Sequence, residues 1–206
     1  MLTMFAIWTI LIRTVDVQTV GESGDAVGFA SVNTWFHEFT GVHRSLYTLT
    51  DWLGLVPVFL CALFAGIGLC QLLRRRALRK VDFDILLLGV YYLVVILSYL
   101  IFEKFPVNYR PVLIEGLREA SYPSSTTLLV LSVMPTVALQ GNRRLKNPGM
   151  KRAAGIAAYL FSAFMVIGRL ISGVHWVTDI IGAVLLSGGL FGICKAVMLL
   201  YDQRGK

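Results

Sequence analysis

The chain has 206 residues, of which 56% are apolar and only 15% charged, and its mean hydropathy is +0.71. Soluble domains carry about 45–50% apolar and about 25% charged residues, so the composition argues against a soluble enzyme, a disordered chain or a disulfide scaffold and points to a polytopic membrane protein. The balance of 19 Lys and Arg against 12 Asp and Glu, net +7, then reads as basic loops that fix orientation in a bilayer rather than as a nucleic-acid surface.

A membrane helix takes roughly 20 apolar residues, so the chain has room for about six helices joined by short loops. Met1 to about Thr14 is apolar up to Arg13 and short for a crossing. No basic residues precede it and no small-residue cleavage site follows it, so it reads as a first helix rather than a signal peptide. Asp16 to Asp51 is the longest polar stretch, with Gly21, Gly24 and Gly28 followed by Trp35-Phe36-His37 and Gly41-Val42-His43. Its aromatic residues predict interfacial segments, and His37 and His43 read there as interfacial or structural.

Clearer spans are predicted at about 52–73, 83–102, 126–139, 153–171 and 177–201. The third of these is short, and Pro135 should kink it. The expected fold is therefore all-α: six transmembrane helices in one bundle, a single membrane-embedded domain over residues 1–206. Cys61, Cys70 and Cys194 lie in apolar runs, are odd in number and form no Cys-x-x-Cys, so they read as small apolar core residues.

Charge bias orients this layout. Arg74, Arg75, Arg76, Arg79 and Lys80 follow the second span, and Arg143, Arg144, Lys146, Lys151 and Arg152 follow the fourth. With six spans both loops fall on one side, together with Arg204 and Lys206 in the tail, and that side should be cytoplasmic. The expected localisation is the cell membrane, with loops 16–51, 103–125 and 172–176 facing out.

Polar residues near the membrane are functional candidates, and they collect on the outward side. The third span ends in Glu103-Lys104-Phe105-Pro106-Val107-Asn108-Tyr109-Arg110-Pro111. Ser121-Tyr122-Pro123-Ser124-Ser125-Thr126 leads into the fourth. The fifth ends in Gly168-Arg169, and Ser172-Gly173-Val174-His175-Trp176-Val177-Thr178-Asp179 opens the sixth.

This set suits phosphoryl transfer. Lys104, Arg110 and Arg169 can neutralise a transferring phosphoryl group, and each arginine can grip two oxygens with its planar fork. Ser124 and Ser125 stand where a helix should begin, and free N–H groups there make an anion site. His175 and Asp179, at i and i+4, share one helix face, so the carboxylate can hold one imidazole nitrogen as N–H and leave the other to attack phosphorus. Each residue also has a plainer reading: snorkelling for Lys104 and Arg110, a helix cap for the serines, a structural pair for His175 and Asp179, and a belt aromatic for Trp176. The conjunction favours chemistry. No carboxylate cluster of metal-site type stands near these residues, so neither a metal nor another cofactor is expected.

These residues resemble the type 2 phosphatidic acid phosphatase superfamily, which includes bacterial undecaprenyl-diphosphate phosphatases and vanadium haloperoxidases. Its motifs are Lys-x6-Arg-Pro, Pro-Ser-Gly-His and Ser-Arg-x5-His-x3-Asp, and the resemblance spans about 104–179. Arg169, His175 and Asp179 match the third motif in spacing. The resemblance implies that His175 forms a phosphohistidine, Asp179 orients it, Lys104, Arg110 and Arg169 bind phosphate, and Ser124, with Ser125 beside it at the helix start, contacts the phosphate. The sequence also departs from the pattern. Five residues separate Lys104 from Arg110, Gly168 replaces Ser, Ser125 replaces Gly, and Thr126 replaces the histidine that protonates the leaving oxygen.

Threonine cannot supply that proton near neutral pH, and general acid help contributes about 10²–10⁴-fold. A diphosphate, with its better leaving group, needs the acid less, and His43 or His37 could substitute for it. The expected function is an integral membrane lipid phosphatase acting at the outer face on a lipid phosphate or a polyprenyl or lipid diphosphate. The alternative is a catalytically degenerate protein that binds lipid phosphates. The expected partners are that lipid and the bilayer, not nucleic acid.

Overall fold

The computed structural model describes residues 1–21 and 24–204. Lys206, assigned above to the cytoplasmic tail, lies outside the described residues. The elements run in order α1 (Leu2–Thr14), β1 (Gln18–Val20), β2 (Asp25–Val27), α2 (Ala30–Thr40), α3 (Arg44–Leu53), α4 (Leu55–Arg75), α5 (Phe83–Lys104), α6 (Ser125–Arg144), α7 (Pro148–Ile171) and α8 (Val177–Arg204). The only sheet among the described residues is the antiparallel hairpin β1–β2, in which Thr19 faces Ala26. The fold is all-α, as composition required.

Four helical segments are long and apolar enough to cross a membrane: Arg44–Arg75 (α3 running into α4), Phe83–Lys104, Pro148–Ile171 and Val177–Arg204. These make the chain a membrane protein. Helix α5 shows why they qualify. Ile85, Leu88, Tyr91, Tyr92 and Val95 form a helical stripe buried in the bundle, while Val90, Leu93, Leu97, Leu100 and Ile101 are exposed and equally apolar. A helix apolar on all sides has lipid on its outer face.

The other two predicted spans exist as helices but fall outside that class. Helix α1 has 13 residues, about 20 Å at 1.5 Å per residue, against about 30 Å of hydrocarbon. It packs along the first half of α8: Leu2 lies against Gly189, and the Trp8 indole donates to the Thr178 carbonyl at 3.1 Å. Helix α6 is long enough but polar. It is surrounded by α4, α5, α7 and α8, so its buried Thr127, Ser132, Thr136 and Gln140 face protein rather than lipid. Tyr92 and Thr136 share a hydrogen bond at 2.6 Å, the Thr127 hydroxyl accepts from Ser124 at 3.0 Å, and Tyr91 donates to the Ser132 backbone carbonyl at 3.1 Å.

Local chemistry moves several boundaries. Helix α7 starts at Pro148, ahead of the predicted residue 153, because the Asn147 side chain accepts from the Gly149 and Met150 N–H groups and Pro148 sits at the first helical position. The stretch read as interfacial loop is structured as the hairpin, α2 and α3. The cysteines are not a common core set: Cys194 is buried, Cys61 half-buried and Cys70 exposed on α4, because an apolar run in a membrane helix faces lipid as readily as core.

The core lies where α5, α6 and α8 meet, around Leu88, Leu128, Val133, Ala183 and Leu186. A second cluster, Val130, Met134, Ala158 and Met165, joins α6 to α7. Both hold the two ends of the bundle apart, and the candidate site occupies one of them.

Candidate active site

Three loops that chain order places at one end do meet there. The His43 N–H donates to the Ser172 carbonyl at 3.0 Å, the Ser121 N–H to Asn108 at 2.9 Å, and the Trp176 indole to the Tyr109 carbonyl at 2.8 Å. Gly173 makes the first of these joins possible. It has φ +71°, and a Cβ on it would fall 2.1 Å from the Gly41 carbonyl oxygen, so only glycine lets the α7–α8 turn touch the α2–α3 turn. Trp176 is therefore buried structure, not the belt aromatic expected from its type.

His175 sits in that turn and Asp179 in the first turn of α8. The His175 Nδ1 lies 3.6 Å from Asp179 Oδ2, and both side chains are at most 1% exposed. The carboxylate is itself held: Oδ2 accepts from the Trp176 N–H at 2.9 Å and Oδ1 from the Asn108 amide at 3.3 Å. Neither imidazole nitrogen has a hydrogen-bond partner. Burial first, then the charges of Arg110 and Arg169, hold the ring well below its ordinary pKa of 6.5. That direction favours the neutral ring, the form a nucleophile needs.

Arg169, in the last turn of α7, is buried with its guanidinium enclosed. Nη2 donates to Thr126 Oγ1 at 2.5 Å and to Asp51 Oδ1 at 3.0 Å; Nη1 reaches the Tyr47 carbonyl and Thr50 Oγ1, each at 3.4 Å. Its carbon lies 4.8 Å from the Tyr47 ring centre, and that of Arg110 lies 5.8 Å from the same centre. Arg110 Nε is 3.0 Å from Glu119 Oε2. Arg110 Nη1 and Arg169 Nε are buried without acceptors. Buried N–H groups without partners are rare and costly. Two arginines presenting them near His175 favour an anion with several oxygens.

The serine segment touches this set through Thr126, which Arg169 bonds, and Ser124, which bonds the Asp179 carbonyl. Ser124 is the N-cap of α6; its hydroxyl donates to Thr127 Oγ1 at 3.0 Å and its N–H to the Asp179 carbonyl at 3.3 Å. Ser125 and Thr126 form the first turn, whose N–H groups have no acceptor within their own helix. Lys104 is the last residue of α5, with an exposed side chain and no hydrogen bond or ion pair among the described residues. The His43 ring is exposed and bonded to the Thr40 carbonyl at 2.8 Å. The His37 ring packs 5.6 Å from that of Trp176. Among the described residues no group of three or more His, Cys, Asp or Glu is placed to hold a metal.

Two cavities adjoin this set. One of about 300 Å³ lies between α3 and residues 112–115, bordered by Tyr47, Asp51 and Val174. The other, about 510 Å³, runs between α4, α5 and α6, with Asp51, Ser125 and Thr126 at one end and Val58, Val95, Ile96 and Leu129 along its walls. Sequence reasoning missed Asp51, Tyr47, Thr50 and Asn108. Asp51 carried a signal, as the last charged residue before an apolar run on the side where the motifs gather. Tyr47 and Thr50 act on Arg169 through α3, which only the fold reveals. Gly168 has a packing reason as well: a Cβ on it would lie 2.8 Å from Thr50 Cγ2, so α3 fills the space a serine side chain would need.

Comparison with known proteins bears on fold and family. A search of curated proteins finds no match. Among solved structures the chain is similar to the first transmembrane PAP2 type phosphatidylglycerolphosphate phosphatase from Bacillus subtilis, with a TM-score of 0.69 at 21% identity over 100% of this chain and 95% of that one. At that identity the likeness is one of fold. The sequence profile of the PAP2 superfamily matches residues 86–202, more than half of the chain and a stretch that contains Arg110, Ser124, Arg169, His175 and Asp179. The chain therefore belongs to the PAP2 superfamily.

Proposed function

We propose that the protein is an integral membrane phosphatase that hydrolyses a lipid phosphate or diphosphate through a phosphohistidine. The observation that carries this reading is the buried His175, with Asp179 3.6 Å from one nitrogen and two arginines nearby whose buried N–H groups lack acceptors. Asp179 holds Nδ1 as N–H, and Nε2 attacks phosphorus in line with the leaving oxygen. An N–P bond forms as the P–O bond breaks, while Arg110 and Arg169 offset the charge on the non-bridging oxygens. Water then attacks phosphorus, the N–P bond breaks and phosphate leaves. Ser124 and Ser125 add donors at the start of α6. Lys104, one residue off the motif's spacing and exposed at the end of α5, is proposed to reach the phosphate with its long side chain.

Thr126 bears on the substrate. Its hydroxyl accepts from Arg169 and so orients the clamp, and an aliphatic hydroxyl is far too weak an acid to protonate a leaving group near neutral pH. That favours a diphosphate, whose leaving phosphate needs none. The groove of about 510 Å³ supports a lipid, since its polar end adjoins Arg169 and its apolar walls suit a hydrocarbon chain. The six-helix layout belongs to this proposal, with α1 and α6 as the first and fourth spans and the site at the extracytoplasmic face of the cell membrane.

Thr126 also supports a second reading, a lipid-phosphate binder without turnover. Phosphate release by purified protein from lipid monophosphates, phosphatidylglycerolphosphate and polyprenyl diphosphates separates the two. Release that vanishes in His175→Ala supports the enzyme. Binding of those lipids without release supports the binder.

A further inference from the structure

Asp51 borders both cavities, the smaller one among the loops and the apolar groove. Its carboxylate lies 3.0 Å from Arg169 Nη2, yet its side chain is 59% exposed while that of Arg169 is 1% exposed. A solvated, movable carboxylate thus rests on the fork of a buried arginine, at the point where head-side space and chain-side space meet. The other partners of that fork are of a different kind. Thr50 Oγ1 and the Tyr47 carbonyl hold Nη1 through α3, and Thr126 holds Nη2 from α6. Those three are neutral and belong to packed helices. Asp51 alone is an anion, and it occupies the type of contact a phosphate oxygen makes with arginine.

We propose that Asp51 is a latch on the phosphate clamp. In the resting protein its carboxylate takes the place of a phosphate oxygen on Arg169, and an arriving phosphate must displace it. The carboxylate side of this pair is open to solvent, which screens it, so a dianion that also meets Arg110 and the start of α6 competes successfully. Once the phosphate is seated, like-charge repulsion turns Asp51 outward and opens the junction between the two cavities. Asp51 thereby sets affinity and access and takes no part in the chemical step. The latch rests on the phosphatase reading, since it presumes that Arg169 holds phosphate.

The test measures equilibrium binding of inorganic phosphate and orthovanadate to the purified full chain in lipid nanodiscs, together with KM and kcat for a lipid phosphate. Asp51→Asn is expected to bind both anions about fivefold more tightly and to lower KM, with kcat little changed. Asp51→Glu keeps the charge and should stay near wild type, and Asp51→Ser repeats the Asn test with a smaller side chain. A gain in anion affinity is something a merely structural contact would not produce. Wild type that binds vanadate with no gain, or a loss, in both Asp51→Asn and Asp51→Ser overturns the latch and leaves the phosphatase reading standing. Binding seen only once Asp51 is neutralised supports the latch strongly. No anion binding by any variant overturns the latch together with the function on which it rests.

Discussion

At His175 the sign of the pKa shift decides how the site responds to pH. The ring is held well below its ordinary 6.5, so it stays neutral as pH falls through that value. The acid limb of kcat/KM is therefore expected well below pH 6.5, where an exposed histidine nucleophile would already be failing; a limb near 6.5 would mean that the ring is solvated during turnover. Stability follows the opposite bookkeeping. The unfolded chain takes up a proton at His175 near pH 6.5 and the native chain does not, so stability present above that pH is lost as pH falls below it. His175→Ala should reduce phosphate release to background. Asp179→Asn should lower kcat by about 10²-fold, because the ring loses its orienting carboxylate and keeps its nucleophilic nitrogen. Wild-type release by His175→Ala would refute the phosphohistidine. Thr126 gives a comparison internal to one enzyme. If the missing acid limits the rate, Thr126→His should speed a phosphomonoester more than a diphosphate, since the poorer leaving group gains more from protonation. Equal change on both would mean that threonine matters for what it does to Arg169.

At the scale of elements, the site depends on how closely α3, α7 and α8 approach their neighbours. A Cβ on Gly182 of α8 would fall 2.3 Å from the Tyr122 ring, and that ring is pinned by a 2.7 Å hydrogen bond from its hydroxyl to Thr9 of α1. Gly182→Ala should therefore cost about 1–3 kcal/mol, read as a lower Tm in nanodiscs, and should disturb the Pro123–Ser124 segment beside it. Gly168→Ser restores the residue type of the motif but drives its side chain at Thr50 on α3. The expected result is lower activity rather than higher, with the loss in KM because Thr50 and the Tyr47 carbonyl, which hold Arg169 Nη1, shift with α3. These approaches mark what the sequence could and could not show. Spans α4, α5, α7 and α8 were legible because lipid-facing helices must be apolar on their outer surface. His175 and Asp179 were legible because i, i+4 spacing fixes their face. Helix α6 was read short, since polar residues such as Thr136 and Gln140 are buried only once four helices close around them. Tyr47 and Asn108 were illegible, and Asp51 only half-legible as the last charge before an apolar run, because their partners lie far away in sequence.

The whole molecule has two unlike ends. One carries the site. At the other, Arg75 pairs with Asp82 at 2.7 Å, Arg144 with Asp84 at 2.7 Å and Arg143 with Asp202 at 2.6 Å, tying α4, α5, α6 and α8 together. The Arg75 hydrogen bond holds the Asp82 carboxyl below its ordinary range. Arg74, Arg76, Arg79, Lys80, Lys146 and Arg152 remain exposed at that end, and cations near span ends stay in the cytoplasm. The distribution of charge therefore argues that the site faces outward, and labelling can decide it. In a background free of Cys61, Cys70 and Cys194, Leu117→Cys marks the site end and Asn142→Cys the basic end; both positions are exposed. An impermeant maleimide applied to intact cells should modify residue 117 and spare residue 142 until the membrane is permeabilised. The opposite pattern would turn the site toward the cytoplasm and move its substrate to the inner leaflet. It would leave His175, Arg169 and the latch untouched, because their argument rests on contacts within the bundle and not on which side of the bilayer they face. Labelling of both residues in intact cells would mean that the ends are not separated by the bilayer, and the six-helix layout would fall with the orientation.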